Sequence, residues 1–507
     1  MMIRRPQIVT VLAATVALGA LIPTIGAAQQ VPLNNAPIEV PSPQPRPTLS
    51  GSPLPYPAYG TPAPDVAALH PKKGAPASIS LQNAVKIAVA LSPVFAAQNA
   101  EWAAIHAKYT SEQQAVYPAL SANGSIGKQY ENGTVSTTVT ALPSSQPGEI
   151  SRFGQSTIAQ ESATITIEQL IYDGGRTIAA IHSAKSSDYA GRATLLRNLQ
   201  TLALNVATTY YAVLQDNATV AADVQLVHEF EVNEAAVAAQ IRNGAAARSD
   251  IAAAQFQTAQ ARGQLVTAQG AAIGAQAVFN TTLGLDANAE VVPKSLGNEP
   301  TGPNPTYDKS LERALLLRPD YISSNYTVEA AKENLRYAKL ARFPVLTAAA
   351  TDGVAKNFGY DTSIPVAGHQ TNGSSNTKTL GLNLSVPIYD QGITNYNVAV
   401  AASQLDQAIA NLQLNKLTVE SDVRSALANL ISSRANLVQA HAELTAAQVS
   451  LDATQAQYRV GAATILNVTQ AEANLSTAQA TYIAALYGTQ TAEENYLYAV
   501  GLTDIQL

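Results

Sequence analysis

Apolar and small residues alternate with a period of seven over the C-terminal part of this chain. Val468, Leu475, Tyr482, Thr489 and Tyr496 hold one seam position, and Ala471, Ala478, Ala485, Ala492 and Ala499 follow each by three residues. A larger residue at one seam position and alanine at the other predicts helices packed at close range in the coiled-coil manner. One such stretch alone is equally the mark of an ordinary amphipathic helix. Upstream, Val423, Leu430, Leu437, Leu444, Leu451 and Tyr458 keep the same period, with Ala426, Ser433, Ala440, Ala447 and Thr454 as small partners. Leu405, Leu412 and Val419 hold an earlier register, and the step from Val419 to Val423 is four residues. Such an insertion locally unwinds a supercoil, which predicts straighter helices there.

Elsewhere the period is two. In TKTLGLNLSVPIYD, Leu380, Leu382, Leu384, Val386 and Ile388 alternate with Thr379, Gly381, Asn383 and Ser385. A barrel strand with lipid outside and lumen inside reads this way, and so does a globular sheet with one wet face. SANGSIGKQYENGTVSTTV and ATITIEQLIYD are two further strand-like runs, around a Ser/Pro/Gly-rich loop near residues 141–156.

The order of elements occurs twice. Pro93 and Pro319 lie 226 residues apart, as do Pro118 and Pro344; Tyr172 and Tyr389, Gly244 and Gly461, and Gly284 and Gly501 each lie 217 apart. The alanine seam repeats as well, Ala254, Ala261, Ala268 and Ala275 standing 217 before their counterparts. So many matches imply an internal duplication, its length difference falling in the strand hairpin. Each copy predicts a short helix, a helix from Pro93 to about Tyr117 (or Pro319 to Phe343), a strand pair, a long helix, a glycine turn and a returning helix. The long helix would span roughly 100 Å and the returning one about 60 Å. The helix ending before the strands fills the remaining ~36 Å. Strands then gather at one end and glycine turns at the other. Four strands are too few to close a barrel, and open edges cannot sit in lipid. Several protomers would therefore share one barrel, three of them contributing twelve strands.

Composition narrows the class. The chain has 507 residues, 47% hydrophobic but only 13% charged, and no cysteine. Disulfide scaffolds, thiolate metal sites, a Cys nucleophile and a lipid-anchored N-terminal cysteine are excluded. A net charge of −6 without Lys/Arg clusters gives no sign of nucleic acid. The start, Arg4 and Arg5 followed by a short apolar run and small residues, follows signal-peptide grammar with a cut after Ala28; an uncleaved anchor is the alternative. The expected organisation is a signal peptide over 1–28, a proline-rich extended or disordered segment over 29–77, and a first repeat over 78–285. That repeat carries strands at about 118–172 and a tip near 244. A linker over 286–306 leads to a second repeat over 307–507, with strands at about 344–389 and a tip near 461.

Over residues 78–507 these features resemble the TolC family of outer-membrane efflux and secretion ducts. The carriers are LSPVFAAQNAEWAAIHAKYTSEQQAVYPAL and LLRPDYISSNYTVEAAKENLRYAKLARFPVL, the turns IYDGGRT and IYDQGIT, and the tips RNGAAARSDI and YRVGAATILNV. The resemblance implies an α+β membrane protein: a homotrimeric outer-membrane β-barrel of twelve strands, four per protomer, continuous with a long periplasmic α-helical barrel in a Gram-negative bacterium. It implies a passive conduit for efflux or type I secretion, with a periplasmic adaptor and an inner-membrane pump of the RND or ABC type as partners, outer-membrane lipid around it, and no cofactor. In the family, acidic residues of the second hairpin narrow the entrance. This chain has Asn467 and Gln470 there, with Asp250 at the matching place of the first hairpin, which makes these three the gate candidates. Val460, Gly461 and Ala462 match the adaptor-docking tip, whereas Gly244 lacks the preceding valine. Arg242, Arg248 and Arg459 either tie tips together across protomers or are solvated turn residues. LLRPD at Leu316–Asp320 points toward the branch paired with proton-driven pumps.

No enzyme signature appears. His70, His106, His182, His228, His369 and His441 are scattered, without metal-ligand spacing, and nucleotide-binding and nucleophile motifs are missing. Asp173 and Asp390 stand in strand-to-helix turns, where Asp caps a helix, with a metal role as the alternative. A flagellin-like structural filament shares the composition but requires neither alternating strands nor this type of leader.

Overall fold

The computed structural model describes residues 77–139, 148–242, 248–295, 304–361, 369–370 and 373–502. In chain order the elements are β1 (Ala77–Ile79), α1 (Leu81–Leu91), α2 (Pro93–Gln114), β2 (Ala119–Val139), β3 (Gly148–Tyr172), α3 (Arg176–Arg242) and α4 (Arg248–Thr282). There follow β4 (Val291–Pro293), α5 (Tyr307–Leu317), α6 (Pro319–Leu340), β5 (Val345–Asp361), β6 (His369–Gln370), β7 (Gly373–Ser385), α7 (Ile393–Arg459) and α8 (Ile465–Val500).

Local chemistry sets most boundaries. Ser80 caps α1, its hydroxyl accepting from the Asn83 amide at 3.4 Å. Pro93 and Pro319 occupy the first turns of α2 and α6, where a missing N–H costs nothing. Helices of 11, 22 and 67 residues recur with equal lengths in both halves. At 1.5 Å per residue, α3 and α7 each run about 100 Å.

The seven-residue seams are buried. Val468, Ala471, Leu475, Ala478, Thr489, Ala492, Tyr496 and Ala499 of α8 are all covered, as are Val423, Leu430, Leu437 and Leu451 of α7. Both sides of the four-residue step, Val419 and Val423, are fully buried, so one helix face serves both registers. α7 packs along α8 and α3 along α4. Sequence period did not reveal that α6 packs against both α3 and α7, and that α8 also lies against α3. The halves interleave.

Each returning helix meets a shorter helix end to end. Gly501 follows α8 with φ +82°, and a Cβ there would lie 2.8 Å from the Arg318 amide nitrogen at the head of α6. Gly284 makes the equivalent approach, 2.7 Å from the Leu91 carbonyl at the end of α1. Only glycine meets both the dihedral and the spacing.

Two expectations need correction. The segment read as a linker over 286–306 contains β4, which pairs in parallel with β1, Ala77 opposite Val291. A buried cluster explains it: Val85, Val206, Tyr210, Phe279, Leu283 and Val291 pack together, and the Tyr210 hydroxyl donates to Lys294 O at 2.6 Å. Secondly, the loop expected near 141–156 is shorter, because β3 already begins at Gly148 and pairs with β2 through Val139↔Gly148. Residues 140–147 lie outside the described residues. At the other end, β7 stops at Ser385, before Pro387, so Val386 and Ile388 continue the pattern without being in a strand.

The long strands form one antiparallel sheet in the order β2-β3-β5, with β5 also pairing β7 and, at Tyr360 and Asp361, β6. β2 and β7 are its long edges.

Candidate functional site

The sheet has two chemically distinct faces, and the register shows that they continue across strands. Leu120 pairs with Ile167, Ile167 with Ala350, and Ala350 with Leu380, which places one apolar row across all four long strands. Leu346, Leu384 and Leu382 extend that face. The opposite face carries Ser125, Ser162, Thr164, Thr351, Thr379, Gly381 and Asn383, with Ser125 and Ser162 hydrogen-bonded at 2.8 Å. Both faces are open to solvent in the protomer, Leu380 being 87% exposed. Lys378 and Asp352 pair at 3.3 Å on the apolar face, next to the Leu380 row.

Strand-to-helix turns repeat one device. Asp173 accepts from the Gly175 and Thr177 amides at 2.9 and 2.6 Å, and Asp390 from Gly392 and Thr394 at 3.1 and 2.7 Å. Both side chains satisfy first-turn donors of α3 and α7, which is a capping role.

Midway along the helices an ionic cluster of two buried arginines and two partly exposed aspartates fixes the joint between α8 and α6. Arg318, 2% exposed, donates to Asp320 at 2.6 Å and to Asp422 of α7 at 2.9 Å. Arg197 of α3 stands 3.7 Å from Asp320, donates to Tyr498 O at 2.9 Å and stacks on the Tyr498 ring at 3.6 Å. Gln200 donates to Gly501 O at 2.8 Å. Burial would raise the Asp320 pKa, but the Arg318 hydrogen bond and the charges of Arg197 and Arg318 hold it below its ordinary value. Arg318 and Asp320 belong to the LLRPD stretch noted in the sequence. The roles of Arg197 and Asp422 carried no sequence signal, since their partners lie more than a hundred residues away.

At the other end of α7 the tip is defined on its second-hairpin side. Gly461, with φ +77°, donates to Tyr458 O at 3.0 Å and Ala462 to Gln457 O at 2.9 Å, a left-handed helix stop. Val460 is 78% exposed. Asn467 turns back on its own helix, accepting from the Thr464 amide at 3.0 Å in a capping box. Gln470 is exposed and donates to Asn474 at 3.0 Å. Asp250 lies in the first turn of α4, near enough to Tyr458 that burial and its charge together push the tyrosine hydroxyl pKa upward. Tyr458 donates to Gln240 of α3 at 3.0 Å and so ties the two hairpins together. Arg242, Arg248 and Arg459 are exposed, and among the described residues none has an ion-pair partner within the protomer. Gly244 falls outside the described residues. Asp250 is thus brought to the second hairpin, whereas Asn467 and Gln470 bond along α8 itself.

Among the described residues no group of three His, Asp or Glu is placed to hold a metal. His106 pairs with Asp188 at 3.2 Å and His441 packs on Tyr482, both as structural contacts between helices. No described helix is long and apolar enough to cross a membrane.

Comparison with known proteins agrees with this architecture. The family model described as "Outer membrane efflux protein" matches residues 84–285 and 310–501, once for each series of elements and together more than half of the chain. The outer membrane efflux protein BepC of Brucella suis is 25% identical over 339 residues, 66% of this chain and 71% of BepC. The probable efflux pump outer membrane protein TtgC of Pseudomonas putida is 26% identical over 407 residues, 78% of each chain. The Campylobacter jejuni CmeC outer membrane channel shares the fold, with a TM-score of 0.66 at 17% identity over 83% of this chain and 85% of CmeC. This chain is a member of the outer membrane efflux protein family.

Proposed function

We propose that the protein is the exit duct of a tripartite efflux or type I secretion system, a homotrimer whose protomers share one twelve-stranded outer-membrane barrel. One observation carries the reading. Among the described residues, a four-strand ribbon, apolar on one face and polar on the other with both long edges unpaired, is joined to two ~100 Å helices, of which α7 ends in an exposed turn. Unpaired edges cannot face lipid, so β2 of one protomer pairs with β7 of the next and the apolar face meets the membrane. Surface left uncovered on the helices supports the same assembly: α2 has no buried residue, and α4 exposes Phe256, Val266 and Ile273. Residues 1–28 direct export, and the helical part occupies the periplasm.

The tips form the entrance, a polar ring of Asn467 and Gln470 with Asp250 as its acidic layer. Val460, Gly461, Ala462 and Gly244 present the surface for a periplasmic adaptor, and Arg242, Arg248 and Arg459 link neighbouring tips. An inner-membrane pump supplies the energy, and this chain carries out no chemistry. The family match gives no support to a filament role. Gln470 is the cleaner test of the ring, because Asn467 also caps its helix. Replacement of Gln470 by Ala is expected to raise single-channel conductance of the purified protein in planar bilayers. Unchanged conductance removes the gate from this position, and a monomer recovered from the soluble periplasm removes the duct.

A further inference from the structure

Behind the tip, among the described residues, stands a buried acidic group that neither capping nor ion pairing accounts for. Glu472 stands on α8 two residues beyond Gln470 and is 2% exposed. Its Oε1 accepts a long 3.4 Å hydrogen bond from Asn233 of α3, and its Oε2 meets no donor among the described residues. Its α8 neighbours Ala471 and Leu475 pack with Leu451 of α7, and on α3 the residues acting on it, Asn233 and Glu229, flank Phe230 of the Leu226–Val227–Phe230–Ala261 cluster. An ionised carboxylate with an unsatisfied oxygen is costly in such surroundings.

The charged neighbours make it worse. From α3 the facing group is Glu229, one helical turn from Asn233, with His228 acting on Glu229. On α7, Asp452 is exposed and bonded by Gln448, and Tyr458 points to Gln240. On α4, Asp250 acts on Tyr458, and Arg262 is taken up by Glu231 at 2.7 Å. On α8 itself the nearest titratable side chain is Tyr482, ten residues on. Among the described residues no cation acts on Glu472. Burial first, and Glu229 second, push its pKa from 4.5 to about 7.

We propose that Glu472 is a proton-operated latch between the two hairpins: protonated, it lets α8 seat on α3 behind the tip, and ionised, it drives the two apart. The sign follows from linkage. A carboxyl whose pKa is raised in the packed state favours packing below its exposed value of 4.5, and that contribution is lost as pH rises through about 7. The entrance is therefore sealed more firmly at acidic pH. This rests on the tip being the entrance. With those two values, the ratio of loosened to seated tip rises about tenfold per protomer between pH 6 and 8.

The test uses the full-length protein in planar bilayers from pH 5 to 8, together with hydrogen-exchange protection factors over 226–242 and 465–480. Wild type is expected to gain conductance and to lose protection in both segments as pH rises. Glu472→Gln, neutral at every pH, should hold the low-pH values throughout, and Glu472→Met serves in its place if the glutamine variant does not assemble. Glu229→Gln should move the transition to lower pH. A conducting wild type whose conductance and protection ignore pH overturns the latch, as does a neutral variant that keeps the wild-type pH dependence. No conductance at any pH, with pH-dependent protection intact, refutes the duct reading and leaves the latch standing.

Discussion

Gly501→Ala probes the joint where α8 meets α6, and Gly461→Ala provides its control. Both glycines have left-handed backbones, φ +82° and +77°. Alanine in that conformation costs about 1–2 kcal/mol, a term common to both substitutions. Space separates them. A Cβ at 461 meets nothing within 4 Å among the described residues, whereas one at 501 would lie 2.8 Å from the Arg318 nitrogen and 2.9 Å from its Cα. Comfortable contact is about 3.5 Å, so the first turn of α6 must retreat by roughly 0.7 Å. Forcing atoms into filled space costs on the order of 1–3 kcal/mol, and the retreat pulls Arg318 from Asp422. The expected loss is about 2–5 kcal/mol for Gly501→Ala against about 1–2 for Gly461→Ala. A membrane protein of this size is compared by apparent unfolding temperature at one scan rate in one detergent, since its unfolding is governed by rate. Equal losses in the two variants would refute the end-to-end contact of α8 with α6.

Leu382→Arg places a charge on the apolar sheet face and should cost about 2–4 kcal/mol at membrane depth, whereas Asn383→Arg faces the other way and should be tolerated; protein recovered from the outer-membrane fraction reports both, and equal yields would contradict the assignment of faces. Arg318→Met removes the only cation paired with Asp422 among the described residues and leaves Asp320 with Arg197 alone, at 3.7 Å. Because the Asp422 side chain is 45% exposed, the loss should fall near 2–3 kcal/mol, below that of a fully buried pair. Asp320, held below its ordinary pKa, contributes stability that is present above 3.8 and lost as pH falls through its lowered value. Thermal scans from pH 7 to 3 should therefore show less acid sensitivity in Arg318→Met than in wild type, and an unchanged profile would remove the cluster from the energetics of the joint.

Much of the helix layout was legible because it is written locally. The period of seven placed Val468, Leu475, Ala471 and Ala478 in buried seams, and prolines 93 and 319 marked helix starts within a residue. Asp173 and Asp390 read as caps because the acceptor and its donors lie within four residues. Residues 148–156 read as loop although they open β3, since Ser and Gly occur in strands as well as in turns. At the tip, sequence singled out Asn467 but not its bond to Thr464, and missed Tyr458 as the link between hairpins.

The sequence by itself determined which faces are apolar, where helices start and stop, and that the series runs twice, because periodicity and capping depend on near neighbours along the chain. Tertiary structure alone decided which helices share a groove. That choice set α6 between α3 and α7, strapped β1 to β4, gathered Arg197, Arg318, Asp320 and Asp422 into one cluster, and closed α3 over Glu472. Each of these contacts joins residues with no shared period, so their energies depend on burial and distance, which the order of residues does not contain.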